Sequence, residues 1–171
     1  EKVGIRASGS CTLFFEDVVL PERFRLGGEG DGFKVAMQTL DGGRIGIAGQ
    51  ALGIAQAAYE EAVAYAKERK AFGQPLNRFG QIQRHIAESY AKYKAARAYA
   101  YDTARRTDLS AGHNRIDSDG VKLFASVAAK ECADSAMQVL GGIGYTDIYP
   151  VERLLRDCRL ITIWTGTNEI M

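Results

Sequence analysis

Asp41 and Arg44 stand three residues apart in LDGGR, a spacing that puts both on one side of a helix. Such a pair is often only a solvated ion pair worth less than about 1 kcal/mol, but Arg44 falls inside an apolar stripe, which argues against idle exposure. Arg69 and Phe72, in RKAFG, combine fixed donors and permanent charge, suited to a phosphate group, with a ring that can lie on an apolar surface. The plainer alternative is an Arg capping helix carbonyls while a Phe plugs the end of a bundle. Cys11, Cys132 and Cys158 are an odd number, widely separated, without metal-ligand spacing. They read as reduced thiols, Cys132 being core filler on an apolar helix face. His85 lies within a helical stretch and His113 in a turn, where a lone His is more often structural than catalytic.

These groups need a scaffold, and 171 residues allow one domain with a real core. The formal net charge of +1 leaves no excess field for a nucleic-acid backbone or an anionic membrane surface. No stretch approaches the roughly 20 apolar residues of a spanning helix, and no basic region followed by an apolar run opens the chain; the expectation is a cytoplasmic protein. The chain begins at Glu1, without Met, as an excised piece of a longer protein would.

Residues 10–20, SCTLFFEDVVL, mix β-branched and aromatic residues and are closed by Pro21, which predicts one or two strands. From Asp31, the series Phe33, Met37, Leu40, Arg44, Ala48, Ala51, Ala55, Tyr59 and Val63 recurs at helical steps. Gly42, Gly43, Gly46, Gly49 and Gly53 each cost that helix roughly 1 kcal/mol relative to Ala, so packing or a ligand must offset them. Gly73 and Pro75 end this helix, and Asn77 is a plausible cap for the next. The second helix carries Ile82, Ile86, Tyr90, Tyr93, Ala96 and Ala100 and runs to about Leu109, where SAGHN stops it. A third, about Asp117 to Leu140, faces Val121, Ala125, Ala128, Cys132, Ala136 and Val139 inward and stops at Gly141-Gly142. Val151 to Leu160 makes a shorter fourth, and Thr167 or Asn168 starts another helix after Gly166. The expected fold is mainly all-α: an up-and-down four-helix bundle over 29–171, preceded by one or two short strands in a β-domain remnant and linker at 1–28.

FEDVVLP, GFKVAM, LDGGR, AYAKERKAFGQPL, QVLGGIGYTDIYPVERLLRD and WTGTNEI, in this order and spacing, resemble the C-terminal helical domain of the FAD-dependent acyl-CoA dehydrogenases over essentially the whole chain. The resemblance implies hydride transfer from Cβ of an acyl-CoA thioester to FAD, removal of the α-proton by a carboxylate, electrons passed to an electron-transferring flavoprotein, and a homotetramer. It implies that Arg69 and Phe72 hold the FAD of a neighbouring subunit and that Gln138, Gly141 and Gly142 meet the adenosine half of that flavin. Taken alone, Gly-Gly after a helix is usually only a C-cap. Thr167 and Glu169 fall near the flavin, and Asp41, Arg44 and Gly166 on the substrate side.

The sequence departs from the family at the catalytic glutamate, which precedes Gly-Thr near the C-terminus. Here that residue is Thr165, and the alternative position on the first helix is Gly43. A carboxylate starting near about 4.3 can reach a working pKa by burial; a threonine hydroxyl cannot, although Thr165 N–H could donate to the thioester carbonyl. Three explanations stand. The base lies outside this chain, as in relatives that act on ring substrates such as cyclohexene-carboxyl-CoA. Alternatively the protein binds acyl-CoA without turnover, or it works reductively or as an oxidase. Gly42, Gly43 and Gly46 would leave room beside the first helix, compatible with a broad or cyclic acyl group, and equally with helix packing. From a different class comes a catalytically inactive binding or oligomerisation domain.

Overall fold

The computed structural model describes residues 1–107 and 115–171. Leu109, His113 and the SAGHN stop lie outside them. Among the described residues four α-helices form: α1 (Gly32–Glu68), α2 (Gly80–Arg106), α3 (Arg115–Leu140) and α4 (Val151–Ile161). Their pairing fixes an up-and-down bundle. Tyr59 of α1 meets Tyr90 of α2 with ring centroids 5.6 Å apart, while Tyr93 donates to Gln56 at 3.0 Å, so α1 and α2 run antiparallel. Lys92 pairs with Glu131 at 2.9 Å, and Tyr99 lies against Gly120, which makes α3 antiparallel to α2 and parallel to α1. The segment after α4 returns to the start of α3. None of the described helices is long and apolar enough to cross a membrane.

The core is a seam of small residues: Ala48, Ala51, Ala55, Ala58, Ala62 and Ala66 from α1 meet Ala125, Ala128, Ala129, Ala133 and Ala136 from α3. Alanine keeps helix propensity high and lets two helix backbones approach closely. All six inward residues expected of α3 are buried. The α1 stripe drifts from its expectation, since Tyr59 and Val63 are half-buried and Phe33 exposed, while Ala58, Ala62 and Ala66 take the contact. Large side chains there would hold the helices apart. In α2, Tyr90 is likewise exposed and Ser89 buried beside it.

Three expectations fail. Residues 10–20 form no strand, and Phe14, Phe15 and Val19 stand in solvent. A strand needs ladder bonds and one buried face, and among the described residues nothing pairs with this segment. Residues 3–5 dock: Arg156 donates to the Val3 carbonyl at 2.8 Å and Ile5 N–H donates to Asp157 Oδ1 at 2.5 Å. Asn77 does not cap α2. It lies in a 3-10 turn, Leu76–Arg78, and Phe79 holds the cap position, because the preceding hairpin sets Asn77 too early in the chain. After Gly166 the chain makes a single turn, with Ile170 N–H donating to the Thr167 carbonyl at 3.0 Å, and no helix.

Candidate functional site

Between α1 and α2 the chain makes a small hairpin, β1 (Lys70–Ala71) against β2 (Gln74–Pro75), closed by Phe72 at φ 50° and Gly73 at φ 83°. Both central residues of such a two-residue turn need positive φ. Glycine adopts it freely, but a phenylalanine there carries strain of order 1–3 kcal/mol. Phe72 is 96% exposed, so it does not plug the bundle end. Arg69 is also exposed; its backbone N–H closes α1 on the Tyr65 carbonyl at 2.9 Å, and its guanidinium has no partner among the described residues. At the same end, α3 stops at exposed Gly141, φ 67°, followed by Gly142, and a Cβ at either would meet nothing within 4 Å. Gln138 is exposed one turn earlier. Bare backbone, a surface amide, a free guanidinium and an uncovered ring suit an extended ligand with phosphates and an apolar part.

The opposite end is built differently. Arg44 is 5% exposed, and its Nη1 meets Asp119 Oδ1 at 2.6 Å and Asp41 Oδ1 at 3.0 Å. Arg115 adds a contact to Asp119 at 3.3 Å. The Nε of Arg44 donates to the Thr165 carbonyl at 3.2 Å. Lys122, 0% exposed, donates from Nζ to the next carbonyl, Gly166, at 2.7 Å and to Asn168 Oδ1 at 2.9 Å. Asn168 Nδ2 donates to Ser126 Oγ at 2.9 Å. Two buried cations from two helices therefore grip consecutive carbonyls of a turn in which Thr165 sits at φ 54° and Gly166 at φ 102°. Burial first, and then the neighbouring Arg44 cation, pull the Lys122 ammonium below its ordinary range.

A proton acceptor is harder to place. The Thr165 hydroxyl donates to the Trp164 carbonyl at 2.7 Å. Gly43 is exposed without a side chain. The Glu169 carboxyl is held below the usual range by its own backbone N–H and by Thr167, the reverse of what a general base requires. Asp41 and Asp119 are ion-paired to Arg44, and Lys122 has no exposed surface. Asp157 holds the Ile5 amide, Asp147 lies exposed in a turn, and His85 is half-buried within α2.

The sequence-predicted residues thus fall into two groups. Asp41, Arg44, Thr165, Gly166, Thr167 and Glu169 gather at the start of α3, while Arg69, Phe72, Gln138, Gly141 and Gly142 gather at its end. Lys122 and Gln138 are separated by about 24 Å along α3. The sequence reasoning missed Asp119, Lys122, Ser126 and Asn168. A signal existed: Ser118, Lys122 and Ser126 form a polar line at four-residue steps beside the apolar stripe of α3.

The family described as acyl-CoA dehydrogenase, C-terminal domain, matches residues 30–171. A short-chain specific acyl-CoA dehydrogenase of Clostridium acetobutylicum is 44% identical over 170 residues, 99% of this chain and 45% of its own length. The human mitochondrial short-chain specific enzyme is 45% identical, with 99% of this chain and 41% of its own length covered. Among solved structures, butyryl-CoA dehydrogenase from Megasphaera elsdenii superposes with a TM-score of 0.95 at 44% identity, covering 99% of this chain and 44% of that one. A structure described as an electron transferring flavoprotein of Acidaminococcus fermentans also reaches 0.95, at 42% identity over 99% of this chain and 44% of that chain. The chain spans less than half the length of these relatives.

Proposed function

Since the chain belongs to the acyl-CoA dehydrogenase family, as its C-terminal helical domain, we propose that in the whole protein it forms one wall of an FAD-dependent site oxidising an acyl-CoA thioester. Residues 29–171 are the bundle and 1–28 the tail of a preceding β-domain. The observation that carries this reading is the grip of Arg44 and Lys122 on the Thr165–Gly166 turn, which by the motif resemblance would take the place of the family's glutamate. So elaborate a mounting for two backbone carbonyls suits a turn that must meet a reacting group.

FAD, when bound, accepts the hydride from Cβ of the substrate. Arg69, Phe72, Gln138, Gly141 and Gly142 would hold its outer half: the guanidinium suits the pyrophosphate, and the open glycine backbone permits close approach. Thr167 and Glu169 would face the flavin of the substrate end. With the two groups about 24 Å apart along α3, each copy serves two cofactors, which fits a homotetramer with shared sites. Electrons leave to an electron-transferring flavoprotein. A cytoplasmic location suits cysteines that are all free thiols.

Asp41, Arg44 and Gly166 shape the substrate side, where Thr165 N–H would donate to the thioester carbonyl as charge builds there. Among the described residues no group is placed to take the α-proton. The base is therefore supplied by the part of the protein preceding this chain, as suits a ring substrate such as cyclohexene-carboxyl-CoA, for which losing the usual base suppresses ordinary α,β-elimination. The same vacancy favours a second reading, an inactive domain that binds FAD or acyl-CoA and assembles. Purification of the full-length protein separates the two. A yellow protein whose flavin is bleached by cyclohexene-carboxyl-CoA is a dehydrogenase; a colourless one, or a yellow one bleached by no acyl-CoA, is a scaffold.

A further inference from the structure

Lys122 lies on α3, outside every segment that carries the family resemblance, yet its Nζ bonds the Gly166 carbonyl at 2.7 Å and the Asn168 side chain at 2.9 Å. It is 0% exposed, so it cannot touch substrate or cofactor. A buried ammonium is unfavourable unless its protons are matched by acceptors. Here the acceptors belong to the C-terminal turn, not to a carboxylate. Arg44 approaches the same turn from α1 and bonds the preceding carbonyl, Thr165, at 3.2 Å. Asn168 is itself tied to Ser126, one helical turn after Lys122, at 2.9 Å. The left-handed backbone at Thr165 and Gly166 is thus held by cations rooted in two helices that are locked together through Asp119.

We propose that Lys122 is a positioning residue for the reaction: by clamping the Gly166 carbonyl and Asn168 it fixes the Thr165–Thr167 turn against the acyl thioester. The proposal rests on the reading that this turn meets substrate. Lys122→Met keeps the side-chain volume and removes the ammonium, while Lys122→Gln restores a shorter N–H donor.

The test uses the full-length FAD-loaded protein with two readouts. Amide exchange of the peptide spanning 164–170 reports the clamp without any turnover. Rapid mixing with cyclohexene-carboxyl-CoA separates the flavin reduction rate from substrate affinity. In Lys122→Met, exchange of the turn accelerates at least tenfold and the reduction rate falls at least tenfold with affinity within twofold, and Lys122→Gln recovers part of both. Unchanged exchange overturns the clamp. Faster exchange with an unchanged reduction rate also overturns the proposal, because Lys122 is then structural only. If the parent is not bleached by any acyl-CoA, the functional reading falls and the positioning role with it, whereas the exchange result still decides whether the clamp exists. Should Lys122→Met fail to fold, Ser126→Ala, which releases Asn168, is judged by the same two readouts and the same outcomes.

Discussion

The Arg44 guanidinium of α1 and the Asp119 carboxylate of α3 meet at 2.6 Å with side chains only 6% and 10% exposed. This bond joins two parallel helices at the end of the bundle where the C-terminal turn is held, so it is structural and site-forming together. Removing one partner of a buried pair leaves the other charge uncompensated, which typically costs about 3–5 kcal/mol. Asp119→Ala is expected to lower the unfolding free energy by that amount, read from the shift of a denaturant midpoint at constant slope. A loss under about 1 kcal/mol would mean that Asp41 alone satisfies Arg44.

Thr165 holds φ 54°, a conformation that disfavours a β-branched residue by about 1–2 kcal/mol. Thr165→Gly should relieve that strain and raise stability by about 1 kcal/mol, visible as a higher thermal midpoint. A lower midpoint would show that the hydroxyl bond to the Trp164 carbonyl outweighs the strain.

Gly49 and Gly53 sit mid-helix on α1, where a Cβ would meet nothing within 4 Å. The chain's own packing therefore does not explain them. Gly53→Ala should stabilise the helix by up to about 1 kcal/mol, measured by chemical unfolding of the chain. Destabilisation instead would place an unrecognised close contact on that face.

At the start of α4, Glu152 accepts from Arg156 at 2.7 and 2.9 Å, and this bond holds its carboxyl below the usual range. A carboxyl whose folded pKa is depressed adds stability above its unfolded pKa and loses it as pH falls through the folded value. Glu152→Gln should therefore cost about 0.3–0.5 kcal/mol at neutral pH and nothing in acid below that value. The check is the pH dependence of the difference between parent and variant unfolding curves.

Four helices were legible in the sequence because their apolar spacing extends over many turns, and every α3 residue read as facing inward is buried, although Ala129, Ala133 and Leu140 are buried beside them unread. The contact line of α1 was misread past Ala55. Tyr59 and Val63 offered more apolar area, but a seam of close helices selects Ala58, Ala62 and Ala66. Residues 10–20 carry strand propensity without anything to pair with, and propensity alone makes no ladder. At the site, Arg44 was visible as a charge inside an apolar stripe. Lys122 was not, because it lies one residue beside the α3 stripe, and its acceptors come from a turn some forty residues later, which periodicity cannot show.

We propose that Thr165 stands where the base would stand in an otherwise competent dehydrogenase site. It is tested most directly by mixing the full-length FAD-loaded protein with a straight-chain acyl-CoA before and after Thr165→Glu, following flavin absorbance. The account predicts little bleaching by the parent and, in the variant, a reduction rate higher by a factor of about 100 or more, as a positioned base typically provides. Rapid bleaching of the parent, or a Thr165→Glu protein that binds FAD and acyl-CoA yet gains nothing, would contradict it.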